Sequence, residues 1–525
     1  MQAAQSINFS RRGFLGASAA MGAGLAVTAP VKLAYANPNP PLVRPREQAW
    51  NALAKAIRGP VLRPGDADFS WLTVPNNLRY SGTLPQGVAR CTSAEDIAAA
   101  LGWAREQGIP LVVRSGGHSY AGFSTTNGLM IDTTKMKSVE LNPDGTVTLG
   151  GGALNQDLYD KLRANNLAIT HGRCPTVGAA GFLLGGGIGF SMRMNGYASD
   201  SLASTHIVLA DGSQVDADAN NHTDLFWACR GGGGGNFGVN TSFTVKTFVP
   251  GPTVGFRYQW NGLTPDLAVA IASQVMTDFS GSNDDYLGSR MSIQATRPIV
   301  TGAGPQLAIN LVGQYQGKGG ETYQALCSKV AGYAAKACAI VPPNPDIFLQ
   351  QTPSWPDGSY WAVQHFLDDF QAPLYFQEHS RFVVQKSFNR DKVALGVKTL
   401  MNWPGTSGFA DLRFFQTGGR TNRVQPTDTA FVHRDSDWLM VIGLYWNQYD
   451  YRDTGLVEKN LDWSKEFYET MLTALGRTAR GAYQNFIDGS LADWQQSYYG
   501  LNFSRLAAIK KRFDPKGVFK FPQAV

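Results

Sequence analysis

Cysteine is scarce in this chain: five among 525 residues, at positions 91, 174, 229, 327 and 338. An odd number leaves at least one thiol unpaired or otherwise employed in an exported protein. Cys327 and Cys338 stand eleven apart in helical text, a spacing that neither requires nor forbids a bridge. No C-x-x-C pair and no His/Cys cluster has zinc-like spacing, so no metal is assigned. Charge is sparse too, at 16% of residues with a formal net charge of +6. No Lys/Arg run is interleaved with aromatics, which leaves nucleic-acid binding without support. Beyond the N-terminal leader no stretch approaches the roughly 20 apolar residues of a spanning helix, so no stable membrane anchor is expected.

Glycine, by contrast, is plentiful: 58 residues, many bunched between Gly116 and Gly238. Such bunching marks backbone that turns sharply or approaches a ligand closely. The length exceeds one compact core and argues for two or more domains. Residues 1–36 read as an export signal. Ser10-Arg11-Arg12-Gly13-Phe14-Leu15 precedes a Gly/Ala-rich apolar stretch, and Ala34-Tyr35-Ala36 is a small-x-small processing site. The paired arginines followed by Phe-Leu resemble a twin-arginine (Tat) signal. Periplasmic or extracellular residence after signal removal is the expectation.

Residues 37–83 read as a linker and N-terminal helical segment. From there to residue 250 the text is α+β with many short strands. Strands are expected at Val88–Cys91, Ile109–Val113, Gly128–Asp132, Val139–Leu141, Thr146–Gly150, Thr205–Ala210 and Val239–Phe248. Ser93, three residues before Asp96, is the expected cap of a helix with one apolar face. Asp211-Gly212 signals a hairpin turn. Residues 251–470 shift to longer, aromatic-rich elements, with strands at Arg257–Trp260, Arg290–Gln294, Leu307–Leu311 and Leu439–Trp446 in a larger antiparallel sheet. Helical text separates them at 266–279 and 322–337. Residues 471–525 become compact again.

Four landmarks carry chemistry. Arg114-Ser115-Gly116-Gly117-His118-Ser119 follows a strand and offers successive backbone N–H groups, an arrangement that cradles a pyrophosphate. Gly172-Arg173-Cys174-Pro175-Thr176-Val177-Gly178 leads to Gly181 and to Gly185-Gly186-Gly187-Ile188-Gly189. This is no Rossmann fingerprint, because no strand runs into it. Arg230 to Gly238, followed by Val239, is the third. The fourth is Tyr483-Gln484-Asn485, with Tyr499-Gly500, Asn502 and a Phe513-Asp514-Pro515 tail.

In that order the four resemble the berberine bridge enzyme-like FAD-linked oxidases of the vanillyl-alcohol oxidase superfamily. The resemblance spans about residue 84 to the C-terminus. It implies an α+β fold: a two-part PCMH-type FAD-binding domain (84–250), an antiparallel-sheet substrate domain flanked by helices (251–470), and a C-terminal segment returning to the first (471–525). It also implies FAD bonded at two residues, His118 to the flavin 8α-methyl and Cys174 to flavin carbon 6. Arg114, Ser115, Gly116, Gly117, Ser119, Thr176, Val177, Gly178, Gly181, Gly186, Gly189, Gly238 and Val239 would line the cofactor. Small residues at Val177 and Gly178 resemble the oxygen-reactive members of that family.

Flavin-dependent oxidation of an alcohol or amine needs a base for the departing proton. Tyr483 is the candidate, with Asn485 on the same side of an extended strand. Its phenol requires a cation or hydrogen-bond donor nearby; Lys386, Arg413, Arg420 and His433 are candidates. Trp355, Tyr360, Trp361, Tyr375, Trp403, Tyr445 and Trp446 are expected to be mostly sheet core, with one or two lining a substrate groove. Three functions remain open: an exported oxidase passing electrons to O2, with an alcohol, oligosaccharide or bulky metabolite as substrate; a periplasmic dehydrogenase with another acceptor; and a flavin-bearing binding protein without catalysis.

Overall fold

The computed structural model describes residues 43–280, 284–297, 304–343, 360–369, 372–384 and 387–525. The segment 1–36 expected to be an export signal, Trp355 and Lys386 lie outside them. Residues 42–525 form one unit, built on three sheets.

The first sheet has the order β1-β2-β4-β3: β1 (Val61–Leu62), β2 (Gly87–Arg90), β3 (Leu111–Arg114) and β4 (Leu129–Asp132). β2, β4 and β3 are parallel, with Arg90 and Arg114 both opposite Asp132. The crossover from β2 to β3 is the helix Ala94–Gln107. Its sequence explains both ends. Ser93 Oγ accepts the Asp96 N–H at 3.3 Å, and Gly108 closes the helix in the left-handed region at φ 63°. Ile97, Ala100, Leu101 and Ala104 are fully buried beneath β2 and β4.

The second sheet, β5-β6-β9-β7-β8, is antiparallel throughout. It contains β5 (Val139–Leu141), β6 (Thr146–Gly150), β7 (Leu202–Val208), β8 (Gln214–Asp218) and β9 (Val239–Lys246). The Asp211-Gly212 turn falls between β7 and β8, with Gly212 at φ 93°.

The third sheet begins at Thr253. It comprises β10 (Thr253–Leu263), β11 (Leu287–Thr296), β12 (Gln306–Gln316), β13 (Tyr375–Val383), β14 (Phe409–Gln416) and β15 (Trp438–Trp446). All pairs are antiparallel, in the order β10-β12-β11-β14-β15-β13. The helices Pro265–Ser280, Arg390–Met401 and Thr454–Leu475 pack on one face. The mixed α+β architecture expected from the sequence is present. One hydrophobic cluster runs without a break from Val147 and Phe243 of the second sheet to Phe256, Ile293 and Leu412 of the third. Sheets two and three therefore share a core, and the third landmark loop is held by the C-terminus. Lys510 donates to the Asn236 carbonyl at 2.6 Å, and the Val525 N–H to Asn236 Oδ1 at 3.0 Å.

Candidate active site

β3 delivers Arg114 and the loop behind it. The Arg114 guanidinium folds against Gly117 of the loop, where a Cβ would come within 2.5 Å of it, and donates to the carbonyls of Thr73 (3.1 Å) and Val74. Burial lowers its pKa to about 10. Behind it, the backbone N–H groups of Ser115, Gly116, Gly117, His118 and Ser119 find no acceptor among the described residues. Gly117 sits at φ 73°, the left-handed turn that lets successive N–H groups converge. The Ser115 hydroxyl is buried without a partner. Ser119 Oγ is engaged locally by the Phe123 N–H at 3.0 Å.

The segment carrying Cys174 lies directly on this loop. A Cβ on Gly116 would stand 2.3 Å from the Gly178 nitrogen, and one on Gly178 would stand 2.5 Å from the Gly116 nitrogen. Only two glycines allow the backbones so close. The first turn of the helix Asn155–Arg163 clamps the segment: Asn155 Nδ2 donates to the Cys174 carbonyl at 3.0 Å, and the N–H groups of Gln156 and Asn155 to the carbonyls of Pro175 and Val177. Gly172 is gripped by the Tyr159 hydroxyl and His171 Nδ1. The result is a convergence. Thr176 Oγ1 lies 3.0 Å from His118 Nε2 and 3.3 Å from Cys174 Sγ. Burial lowers the His118 pKa to about 4, with Arg114 adding to the shift, so its imidazole is neutral.

Downstream glycines serve the same surface. Gly181 is exposed on the helix Ala179–Leu184, which runs into Gly185–Gly189 where a Rossmann motif would need a strand. Gly186 (φ 106°) packs on Phe431, and Gly189 on the His171 carbonyl. Gly238 lies against Ile207 and Val208, and Val239 opens β9 opposite Val208.

Tyr483 and Asn485 reach this surface from the C-terminal segment. They do not share a strand face. The Phe486 N–H bonds back to the Tyr483 carbonyl at 2.9 Å, closing a turn that folds both side chains together. Tyr483 Oη accepts from Asn485 Nδ2 (3.1 Å), the Gly187 N–H (3.1 Å) and the Ile188 N–H (3.2 Å). The phenol's partners are thus three N–H donors, and of the cations named from sequence Arg413, Arg420 and His433 do not bond it, while Lys386 lies outside the described residues. Arg413 is committed to carboxylates, Arg420 is exposed, and burial drives the His433 pKa down to about 3. Burial outweighs the donors and pushes the Tyr483 pKa up to about 12.

The third sheet contributes a charged cluster that the sequence did not reveal. Arg413 donates to Glu378 Oε1 at 3.1 Å, to both Asp411 oxygens, and to Tyr445 Oη at 2.7 Å. Tyr445 also bonds Glu378, whose Oε2 is buried with no partner among the described residues. Burial raises the Glu378 pKa, against the pull of Arg413. Tyr120, stacked on Phe486 at 5.0 Å, lies near enough for Glu378, Arg413 and Cys174 to act on its phenol. Beside them Asp369 takes Arg173 (2.6 Å) and Arg290 (3.2 Å). Burial would raise the Asp369 pKa, but the arginines hold it at about 2. Among the described residues no group of His, Cys, Asp and Glu is placed to hold a metal.

The free N–H cradle, the orphaned Ser115 hydroxyl and the glycine-only contact suit a dinucleotide with an anionic pyrophosphate. The comparisons agree. Residues 85–218 match the FAD binding domain family, and residues 482–525 match the berberine and berberine like family. A carbohydrate oxidase from Microdochium nivale is 30% identical over 509 residues, covering 91% of this chain and 94% of that protein. The chain belongs to the berberine bridge enzyme-like FAD-linked oxidases. It is an FAD-dependent oxidoreductase. Glucooligosaccharide oxidase from Sarocladium strictum is 28% identical, covering 83% of this chain and 86% of that one. Among solved structures, Physcomitrella patens BBE-like 1 superposes with a TM-score of 0.76 at 26% identity, over 91% of this chain and 98% of that one.

Within this berberine bridge enzyme-like chain the aromatic expectation divides. Tyr360 and Trp361 pack on His171. Trp403 and Trp446 are buried, Tyr445 joins the charged cluster, and Tyr375 stacks half-buried on Tyr451. Cys327 and Cys338 are both free thiols. Glu378 and Asp411 escaped sequence reading, and Arg413 was named there only as a candidate partner of Tyr483, because β13 and β14 were not recognised as strands. The single available signal was Asp-x-Arg in Phe409–Gln416, which alternation places on one face.

Proposed function

We propose that this enzyme is an exported oxidase that holds FAD through both His118 and Cys174, oxidises a carbohydrate or related alcohol, and passes the electrons to O2. The observation that carries the reading is the convergence of His118 and Cys174 on one hydroxyl, beside a cradle of unused N–H groups. Two attachments let a cofactor stay in place over an open groove. They also prevent its loss outside the cell. The names of the relatives support a sugar substrate, since they include carbohydrate, glucooligosaccharide, xylooligosaccharide and chitooligosaccharide oxidases. A second, bulkier substrate class remains compatible with the family.

The bound flavin supplies hydride acceptance. The chain supplies the rest. Loops 114–119 and 174–178 bind and orient the cofactor. Tyr483 is the proposed acceptor of the substrate hydroxyl proton, with Asn485 aiming it; the three N–H donors at Oη work towards the phenolate against the burial that raises its pKa to about 12. The small residues Val177 and Gly178 resemble those of the oxygen-reactive members of the family, in keeping with an oxidase. The paired arginines of the leader support export through the Tat route.

The test is a screen of purified enzyme against oligosaccharides, simple alcohols and aromatic metabolites, following peroxide and the flavin spectrum. An oxidase gives stoichiometric peroxide and flavin bleaching without air. Bleaching that air does not reverse, while an artificial acceptor does, would establish a dehydrogenase instead. A spectrum that no substrate bleaches would leave only a binding protein.

A further inference from the structure

The attachment of two side chains to one ring poses a proton problem that the geometry answers. Each attachment exchanges one N–H or S–H bond and one flavin C–H bond for a new covalent bond to the ring. The two electrons and two protons released leave together on dioxygen as hydrogen peroxide. The proton on the attacking atom must therefore be removed in a site from which water is partly excluded. Thr176 Oγ1 is 3.0 Å from His118 Nε2 and 3.3 Å from Cys174 Sγ. A hydroxyl both donates and accepts, so it can link two such groups in either direction.

We propose that the Thr176 hydroxyl is the proton carrier shared by the two attachment residues, moving protons between His118 Nε2 and Cys174 Sγ while the bonds to the flavin form. The proposal rests on the two-bond reading above.

The order of events follows from the tautomers. While Nε2–H donates to Oγ1, Nδ1 is the ring nitrogen whose lone pair is left to attack. Once Nδ1 is bonded, the Nε2 proton passes through Oγ1 to the dioxygen that is reduced to hydrogen peroxide, and Nε2 thereafter only accepts. The S–H of Cys174 then donates to Oγ1, and its proton has a route to Nε2. The thiolate, the nucleophilic form, is generated at the moment it is needed. Burial keeps His118 neutral before attachment, with a pKa near 4, so the ring has a lone pair with which to attack.

Thr176 is also held where the task requires it. Carbonyls on both sides of it are fixed, Pro175 by the Gln156 N–H and Val177 by the Asn155 N–H, both at the start of the helix Asn155–Arg163. Its own carbonyl abuts Gly116, where a Cβ would come within 2.8 Å. The hydroxyl is thus placed by backbone, with no dependence on a flexible side chain.

The experiment compares wild type, T176V, T176A and T176S as purified flavin-loaded enzymes. Each is denatured and digested, and the fraction of flavin-bearing peptide is measured separately for His118 and Cys174 by mass spectrometry. Native absorbance gives total bound flavin. The proposal expects both sites fully occupied in wild type and T176S. It expects T176V and T176A to bind flavin with roughly tenfold less attachment at Cys174 and reduced attachment at His118. Restoration by serine separates proton carriage from packing, because serine lacks the methyl group but keeps the hydroxyl. Full attachment at both sites in either hydroxyl-free variant overturns the proposal. A wild type lacking one of the bonds would overturn the two-bond reading itself, a distinguishable result.

Discussion

Between Arg114 and Gly189 the chain offers the site its backbone, whereas between Glu378 and Tyr445 it offers side chains. The first region presents N–H groups, a two-glycine contact and one small hydroxyl, with the Arg114 guanidinium lying against Gly117 and donating to Thr73 and Val74. The second presents Arg413, Asp411, Glu378 and Tyr445 from three adjacent strands, all buried and mutually bonded. A cofactor shared by many enzymes needs a fixed shape, which backbone supplies. A substrate needs discrimination, which a few placed polar and charged side chains supply.

That contrast can be strained experimentally. The largest effect is expected at the junction of the two regions. Tyr483→Phe should slow flavin reduction by about 10²–10⁴-fold, the usual worth of a general base, with little change in substrate affinity. Stopped-flow reduction without air measures it, and unchanged rates would move the base to the Glu378 cluster. Arg413→Met leaves Glu378 and Asp411 buried without their cation. It should cost about 3–5 kcal/mol in denaturant unfolding while leaving the flavin attached in the folded fraction. Gly116→Ala acts on the other side. A methyl 2.3 Å from the Gly178 nitrogen imposes strain of roughly 1–3 kcal/mol, read as lower flavin content with the sheet cluster intact.

Acidification should reach the backbone region through His171, which grips Gly172. Burial lowers its pKa to about 4, below the value near 6.5 of an unfolded histidine. Between those values the unfolded chain binds the extra proton, so stability falls as pH falls. The loss is about 2 kcal/mol by pH 5, visible as a declining Tm. The smallest effect is expected from Cys174→Ala. Flavin should stay attached through His118, with a lower reduction potential and a few-fold lower turnover.

The same division explains what was legible in the sequence. Backbone function leaves a mark in glycine spacing, so the loops at 114–119, 172–178 and 185–189 stood out before any fold was known. The capped helix after Ser93 and most strands up to Lys246 were visible for local reasons: a hydroxyl at the cap, alternation, a turn dipeptide. The charged cluster was not visible, because Glu378, Asp411, Arg413 and Tyr445 meet only through the pairing of β13, β14 and β15. Nothing local encodes that register. The helix Thr454–Leu475 and the strands β13 and β14 were missed in text whose aromatics blur the strand and helix periods. Tyr483-x-Asn485 was read as sharing a strand face, whereas a turn brings the two side chains together.

The account stands on two covalent bonds to one flavin, and the mass of the denatured wild-type protein tests it most directly. The prediction is a chain heavier by one FAD that survives acid precipitation, with digestion placing the flavin on the peptides of both His118 and Cys174. Release of FAD into the supernatant, leaving a colourless protein of unmodified mass, would contradict it.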